Sequence, residues 1–223
     1  MTTTEAANGE GDLRASDGRV PGRRGLLTRA RLLEQTRDLL GTTSYRDLKV
    51  VDIAREAGTS PATFYQYFPD VEAAIVVLAE EMASQGRLFA DHVRSTTWKG
   101  RAGYEACVGL ADQFILFWEE HQPVIRVVDL ATEEGDGRFA NVRTHLLNDL
   151  YNALAEAINE MKVAGRHPSD VDPMATAGVL VSMLAHVAAH RFGFEFWGVR
   201  TSDLRTSMAR ILFWAVTGQK PPA

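Results

Sequence analysis

The sequence predicts an all-α protein of about nine helices, in which a small N-terminal three-helix unit precedes a larger helical body. Apolar residues recur at spacings of three and four along most of the chain, and no convincing period-two strand interrupts them. A break of three residues, 58–60, separates two very short helical segments. We therefore divide the chain into a disordered basic arm (1–25), a three-helix head (26–70) and a body (71–223).

The first helix of the head is expected from about Thr28 to Leu40, because Gly41 follows. Thr28 is interpreted as its N-cap, at the positive end of the helix dipole. Leu48 and Tyr45 would close the small core of the head. The buried stripe of this helix is predicted to contain Leu32, Leu33, Thr36, Leu39 and Leu40.

Two short helices joined by a tight turn come next. Residues 49–57 carry apolar side chains at spacings of three and four, and Gly58 then favours a helix end because glycine enters the left-handed conformation at little cost. Ser60 is a strong N-cap, and Pro61 suits the first helical position. This arrangement predicts a helix-turn-helix.

The second of these helices contains four aromatic residues within five positions. Phe64 and Phe68 lie four apart and are expected to face inward. Thr63, Tyr65 and Tyr67 then surround the rest of the helix, where hydroxyls and rings reach phosphates and base edges. The alternative is a helical hairpin whose aromatics are all core residues, but one face of so short a helix cannot bury four rings.

This stretch resembles the DNA-binding domain of TetR-family transcriptional regulators over about residues 26 to 78. The resemblance implies a homodimer that binds double-stranded operator DNA, with residues 60–67 as the recognition helix, and a small-molecule effector bound by the body. The residues in matching places are Leu48, Val50, Ile53, Ala54, Ala57, Gly58, Ser60, Thr63, Tyr65, Tyr67, Phe68 and Glu72.

Two positions depart from the family pattern. Lys49 stands where a capping threonine is usual, so Asp47 or water is expected to hold that helix end. Val71 stands where a phosphate-binding lysine is common, and we expect the arm at 19–24 to replace it, the alternative being that the arm is a solubilising tail. The residues assigned to DNA contact are Arg23, Arg24, Thr28, Thr59, Ser60, Pro61, Ala62, Thr63, Tyr65 and Tyr67.

The charge distribution agrees with a head that touches a polyanion. Residues 14–68 hold ten basic and six acidic residues, a net charge of +4, whereas the whole chain carries −5. The single cysteine, Cys107, forms no intrachain disulfide, and the acidic N-terminus is unlike a signal peptide. The apolar runs are broken by His, Arg or Glu, which predicts no transmembrane helix. A cytoplasmic protein with no membrane partner is expected.

The body is expected to begin with one long helix, Val71 to about Val93, capped by Asp70, which would act as a lever on the head. Five further helices are predicted at about 101–120, 123–134, 138–163, 173–191 and 202–217, with an aromatic loop at 193–200.

The last two helices are predicted to form a four-helix bundle with their copies in a second chain. The alternative is that both stripes pack within one chain. The interface residues on the eighth helix are Ala175, Gly178, Ser182, Ala185 and Ala189. On the ninth they are Leu204, Met208, Ile211 and Ala215.

An effector pocket is expected between the body helices, unless the same residues pack solid. Its predicted lining is Phe114, Phe117, Trp118, Val127, Leu130, Leu147, Tyr151 and Met183. His186 and His190 have a metal-compatible spacing but no clear third ligand, so no metal or other cofactor is predicted.

No catalytic motif is recognised, and an enzyme is not expected. The expected function is that of a ligand-responsive transcriptional regulator, a repressor released from a palindromic operator by a small apolar or amphipathic effector, with activation left open. The rival is a helical ligand-binding or catalytic protein with a vestigial head, which Lys49 and Val71 favour.

Overall fold

The computed structural model describes residues 22–222, and within this range the regular structure is entirely helical. The helices pack around one apolar core that runs from the head into the body. The α-helices are α1 (Arg23–Leu40), α2 (Val50–Glu56), α3 (Pro61–Tyr67), α4 (Val71–Ala83), α5 (Arg87–Arg94), α6 (Gly100–Glu133), α7 (Gly137–Val163), α8 (Pro173–Phe196) and α9 (Thr201–Thr217).

Helix α1 begins five residues earlier than the sequence predicts. Gly22 precedes its first turn, and Thr28 is an interior residue whose hydroxyl donates to the Arg24 carbonyl at 3.1 Å. Thr28 is therefore not the cap, because the chain is already helical four residues before it. Positions 23–25 of the predicted arm belong to this helix, and positions 1–21 lie outside the described residues.

The caps of the helix-turn-helix follow the local sequence in α3 but not in α2. The Ser60 hydroxyl accepts from the Thr63 N–H at 3.2 Å, and Gly58 has φ of 67° in the preceding turn. Lys49 occupies the cap position of α2 and provides no side-chain bond. Asp47 does not take over this role, because it belongs to a separate 3₁₀ turn, Tyr45–Asp47.

The expected long helix from Val71 to Val93 is interrupted by a 3₁₀ turn at Ser84–Gly86. Asp70 does cap α4, accepting from the Ala73 N–H at 2.6 Å. The interruption lies where Gly86 packs against the backbone of α7, so close that an added Cβ would meet the Leu146 carbonyl oxygen at 2.2 Å. The rod that leaves the head is therefore α4, and α5 continues after this turn.

Helix α6 is continuous where two helices were predicted. Pro123 lies in its interior, where proline lacks an N–H and costs about 3 kcal/mol. The chain remains helical because buried side chains on both sides of the proline, Trp118 and Val124 among them, pack into the core. Tertiary packing outweighs the local breaker here.

Helix α8 also extends further than predicted, so that Phe194 and Phe196 form its last turn instead of a loop. Asp172 caps its start, accepting from the Ala175 N–H at 2.8 Å. By length and composition alone α8 is the described helix that could cross a membrane, a test that the core helix of a soluble protein also passes. In this structure α8 packs against α6, α7 and α9, as a core helix of the body does.

Candidate functional sites

The exposed side of α3 presents a small polar and aromatic surface. Phe64 and Phe68 are buried, as predicted, and hold the helix to the head. Tyr65 is 52% exposed, and its ring meets the edge of Phe64 with 5.9 Å between centroids. Tyr67 is half-buried against the core, so it offers less surface than the sequence led us to expect.

The first turn of α3 gathers most of the other residues assigned to DNA contact. Pro61 and Ala62 are exposed beside the Ser60 cap. The Ser60 and Thr63 hydroxyls lie 3.0 Å apart and hydrogen bond to one another. Thr59 is half-buried in the turn, where its N–H donates to the Ala54 carbonyl. This end of the helix combines a rigid backbone with short polar side chains.

The cations of the head fall into two groups. Arg29 is buried with its guanidinium 5.3 Å from the Phe68 ring centroid, and Arg55 pairs with Asp52 at 3.1 Å, so both are held by the protein itself. Four other cations of the head, Arg23, Arg24, Arg31 and Lys49, are exposed and have no ion-pair partner among residues 22–222. Sequence reasoning had not assigned Lys49 to DNA contact.

The head meets the body at the loop after α1. Arg46 in this loop forms an ion pair with Glu134 at the end of α6, and Arg37 lies 3.6 Å from Glu81 of α4. A junction cavity of about 300 Å³ separates the two parts of the protein. Its lining is Leu40, Gly41, Thr42, Thr43, Ser44 and Tyr45 from the head, and Pro123, Arg126, Val127 and Leu130 from α6.

A larger body cavity of about 680 Å³ lies between α4, α6, α7 and α8. We call its buried or half-buried apolar lining the floor: Met82, Trp118, Ile125, Val128, Leu146 and Leu147. We call its more exposed polar lining the rim: Arg126, Asp129, Glu133, Arg143, His186 and His190. Leu130 and three small residues of α8 (Ser182, Ala185 and Ala189) complete it.

Only part of the predicted pocket lines this cavity. Trp118, Leu130 and Leu147 do, whereas Phe114 and Phe117 are core residues behind the floor. Phe114 stacks on the Trp118 ring with 5.2 Å between centroids, and so supports the floor without touching the space. Three other predicted residues also lie outside the lining: Val127, which faces the junction cavity, and the half-buried Tyr151 and Met183.

Some polar side chains of the rim are paired with one another, and others are not. Arg143 Nη1 lies 2.7 Å from Asp129 Oδ1, and burial raises the pKa of Asp129 while Arg143 opposes that rise. The His186 and His190 rings stack with 4.1 Å between centroids. In the part of the chain that the structure describes, Arg126 has no ion-pair or hydrogen-bond partner.

Helices α8 and α9 leave an apolar face uncovered, which we call the α8–α9 face. Val179, Ile211 and Trp214 on it are 68%, 48% and 65% exposed. Met208 is the member of the predicted α9 stripe that is wrong, because it is 2% exposed and packs inside the body. Ala185 is buried as well and lines the body cavity, so it too offers a partner little surface. Ser182 and Ala189 are exposed and half-buried, respectively, but they also line the body cavity. The other predicted residues (Ala175, Gly178, Leu204, Ile211 and Ala215) are exposed or half-buried.

Neither a metal centre nor a reactive thiol is assembled among the described residues. No group of three His, Cys, Asp or Glu side chains between residues 22 and 222 is placed to hold a metal ion. Cys107 is buried, and burial raises the pKa of its thiol to about 12. A neutral, inaccessible thiol of this kind is a core residue.

A capped helix-turn-helix joined to an all-helical body with a cavity defines a helix-turn-helix regulatory protein. Residues 32–73 match the family model described as bacterial regulatory proteins, tetR family, and residues 89–223 match the model of the tetracyclin repressor-like C-terminal domain. The chain belongs to the TetR family. The expected family, the all-α fold and the class of ligand-responsive DNA-binding regulator are confirmed.

Individual relatives are distant in sequence. An uncharacterised helix-turn-helix-type transcriptional regulator of Bacillus subtilis, YdgC, is 24% identical over 74% of this chain and 80% of its own. The fatty acid degradation regulator FadR from Bacillus halodurans has a TM-score of 0.62 at 17% identity, over 87% of this chain and 97% of its own. FadR from Bacillus subtilis, solved in complex with stearoyl-CoA, has a TM-score of 0.61 at 15% identity, over 85% of this chain and 98% of its own.

Proposed function

We propose that this regulator is a homodimeric repressor that leaves its operator when a small amphipathic molecule binds in the body cavity. The observation that carries the proposal is that two side chains of α6 are shared by the body cavity and the junction cavity, and we call these two side chains the wall. Arg126 and Leu130 line the body cavity on one side and the junction cavity with the head on the other. A ligand in the body therefore touches the same side chains that border the head.

The wall belongs to a longer stripe of α6. Arg126, Leu130 and Glu134 follow one another at spacings of four, and residues four apart lie on the same face of a helix. The first two border the junction cavity and the third pairs with Arg46 of the head. Displacement of this stripe moves the head, because the stripe contacts it. A ligand that binds the displaced form more tightly therefore shifts the protein away from its DNA-binding conformation.

DNA recognition is assigned to α3 and the cations around it. The exposed first turn and Tyr65 enter a major groove, while Arg23, Arg24 and Lys49 bind phosphates. Lys49 is the additional cation we assign in place of the lysine that is absent at Val71. In a dimer, two such helices must be about 34–36 Å apart to reach successive major grooves.

A second copy of the chain is the occupant proposed for the α8–α9 face. Val179, Ile211 and Trp214 form an uncovered apolar surface on adjacent helices, as a twofold helical bundle requires. The structure of Bacillus subtilis FadR in complex with stearoyl-CoA supports an amphipathic effector for a protein of this fold. We further propose that the protein is cytoplasmic, has no membrane partner and is not an enzyme.

The test of this function is selection of genomic fragments by the purified full-length protein, followed by salt titration on the fragment obtained. A regulator loses affinity steeply with salt and prefers one palindrome, because phosphate contacts and base contacts both contribute. Tyr65→Ala is expected to weaken that binding at least tenfold. Val163→Ala is the matched control, since Val163 is an exposed apolar residue at the end of α7. Weak binding that ignores both salt and sequence favours the rival protein with a vestigial head.

A further inference from the structure

Two residues in the lining of the body cavity, Trp118 and Arg126, carry hydrogen-bond donors that have no partner among residues 22–222. Trp118 is only 5% exposed, and its indole Nε1 is buried and makes no hydrogen bond. An indole N–H is a donor only, and a guanidinium such as that of Arg126 is likewise a donor only. A buried donor without an acceptor, such as Trp118 Nε1, is costly. Arg126 is exposed in the rim, so its guanidinium is accessible to a ligand that supplies acceptors.

The acids of the rim do not satisfy this demand. Asp129 is committed to Arg143 at 2.7 Å, and between residues 22 and 222 no carboxylate pairs with Arg126. Glu133 lies seven residues further along α6, two helical turns from Arg126, and is exposed. The Arg126 end of the cavity is therefore the cationic end, and it lies beside the apolar floor.

We propose that the effector is an amphipathic anion whose acidic group is bound by Arg126 while its apolar part lies on the floor. This inference rests on the proposed effector function and names the chemistry of the ligand, a carboxylate or phosphate joined to an aliphatic chain. Arg126 selects the charge, and Met82, Ile125 and Val128 provide the apolar contact.

The position of Arg126 gives this selection a consequence for DNA binding. The same side chain lines the junction cavity, opposite residues 40–45 of the head. When the guanidinium binds an acidic group in the body cavity, it is drawn away from that junction. A neutral ligand of the same length fills the floor but leaves Arg126 where it is. Charge recognition and release of DNA thus depend on one residue.

The experiment compares four probes that share a ten-carbon chain by isothermal titration calorimetry on the full-length protein, below their micelle concentrations: decanoate, decyl phosphate, decanol and decyltrimethylammonium. We expect one or both anions to bind at least about tenfold more tightly than decanol, the gain of one charge-assisted hydrogen bond. Which of the two anions binds more tightly identifies the acidic group as carboxylate or phosphate.

Arg126→Gln is expected to remove the preference for the anions and to leave decanol affinity within about twofold of wild type. Arg101→Gln is the matched control, because Arg101 lies at the other end of α6 and pairs with Glu105 at the protein surface. A second variant, Trp118→Phe, keeps an aromatic floor and removes the Nε1 donor. Because Arg126 remains, this variant is expected to keep the preference for the anions over decanol.

Four results overturn the proposal: equal affinity for decanol and the anions, tightest binding of the cation, an anion preference that survives Arg126→Gln, or no saturable binding of any probe. Failure of the proposed function has a different signature. In that case the wild-type protein selects no genomic fragment, whatever the calorimetry gives.

Discussion

Gly86→Ala tests the contact that interrupts the rod between head and body. A Cβ at this position would lie 2.2 Å from the Leu146 carbonyl oxygen, 3.0 Å from its carbonyl carbon and 3.1 Å from its Cδ1. The first two atoms belong to the backbone of α7, so no side-chain rotation relieves the contact. The 3₁₀ turn and α7 must move apart by about 1 Å before ordinary van der Waals separations return.

The expected cost is about 1–3 kcal/mol of unfolding free energy, the range for adding a methyl group to a closely packed site. Because α4 leads directly from the head to this turn, the same displacement changes the setting of α3. We therefore expect weaker operator binding in the folded variant as well.

The assay is urea unfolding followed by circular dichroism, at one fixed protein concentration because dimerisation contributes to stability. Gly193→Ala is the control, since a Cβ there meets nothing within 4 Å and Gly193 lies inside α8. It is expected to stabilise the protein by about 0.5–1 kcal/mol. If Gly86→Ala unfolds at the wild-type midpoint and binds DNA normally, the turn does not transmit position and our account of the contact is wrong.

Four further predictions follow from single side chains. Tyr65→Phe weakens operator binding if the hydroxyl makes the contact, and unchanged affinity in a fluorescence anisotropy titration assigns the contact to the ring. Trp214→Glu yields monomers by light scattering, whereas Val163→Glu, at a more exposed site off the α8–α9 face, stays dimeric. Cys107 resists thiol reagents at pH 8 until the protein unfolds, because burial raises its pKa to about 12. Burial lowers the pKa of His121 below 6.5, so the unfolded chain binds more protons than the folded chain in this range. The free energy of unfolding therefore falls as the pH drops below 6.5. His121→Gln is expected to make that fall shallower in urea titrations.

The sequence by itself determined the features that depend on a few neighbouring residues. The Ser60, Asp70 and Asp172 caps each accept the expected backbone N–H, and Gly58 takes a positive φ in the expected turn. These signals are local, because a cap or a turn is decided within four residues of chain. The inward pair of Phe64 and Phe68 also follows directly from helical spacing.

Tertiary structure decided whatever depended on a distant segment. Pro123 failed to end α6 because core packing on both sides outweighed a local cost, and Gly86 ended α4 because α7 passes so close. Met208, which the sequence placed in the interface stripe of α9, is instead buried inside the body. The wall of Arg126 and Leu130 between two cavities exists only because the loop after α1 rests on α6. Contacts of this kind join residues about eighty positions apart, which no periodicity within one helix encodes.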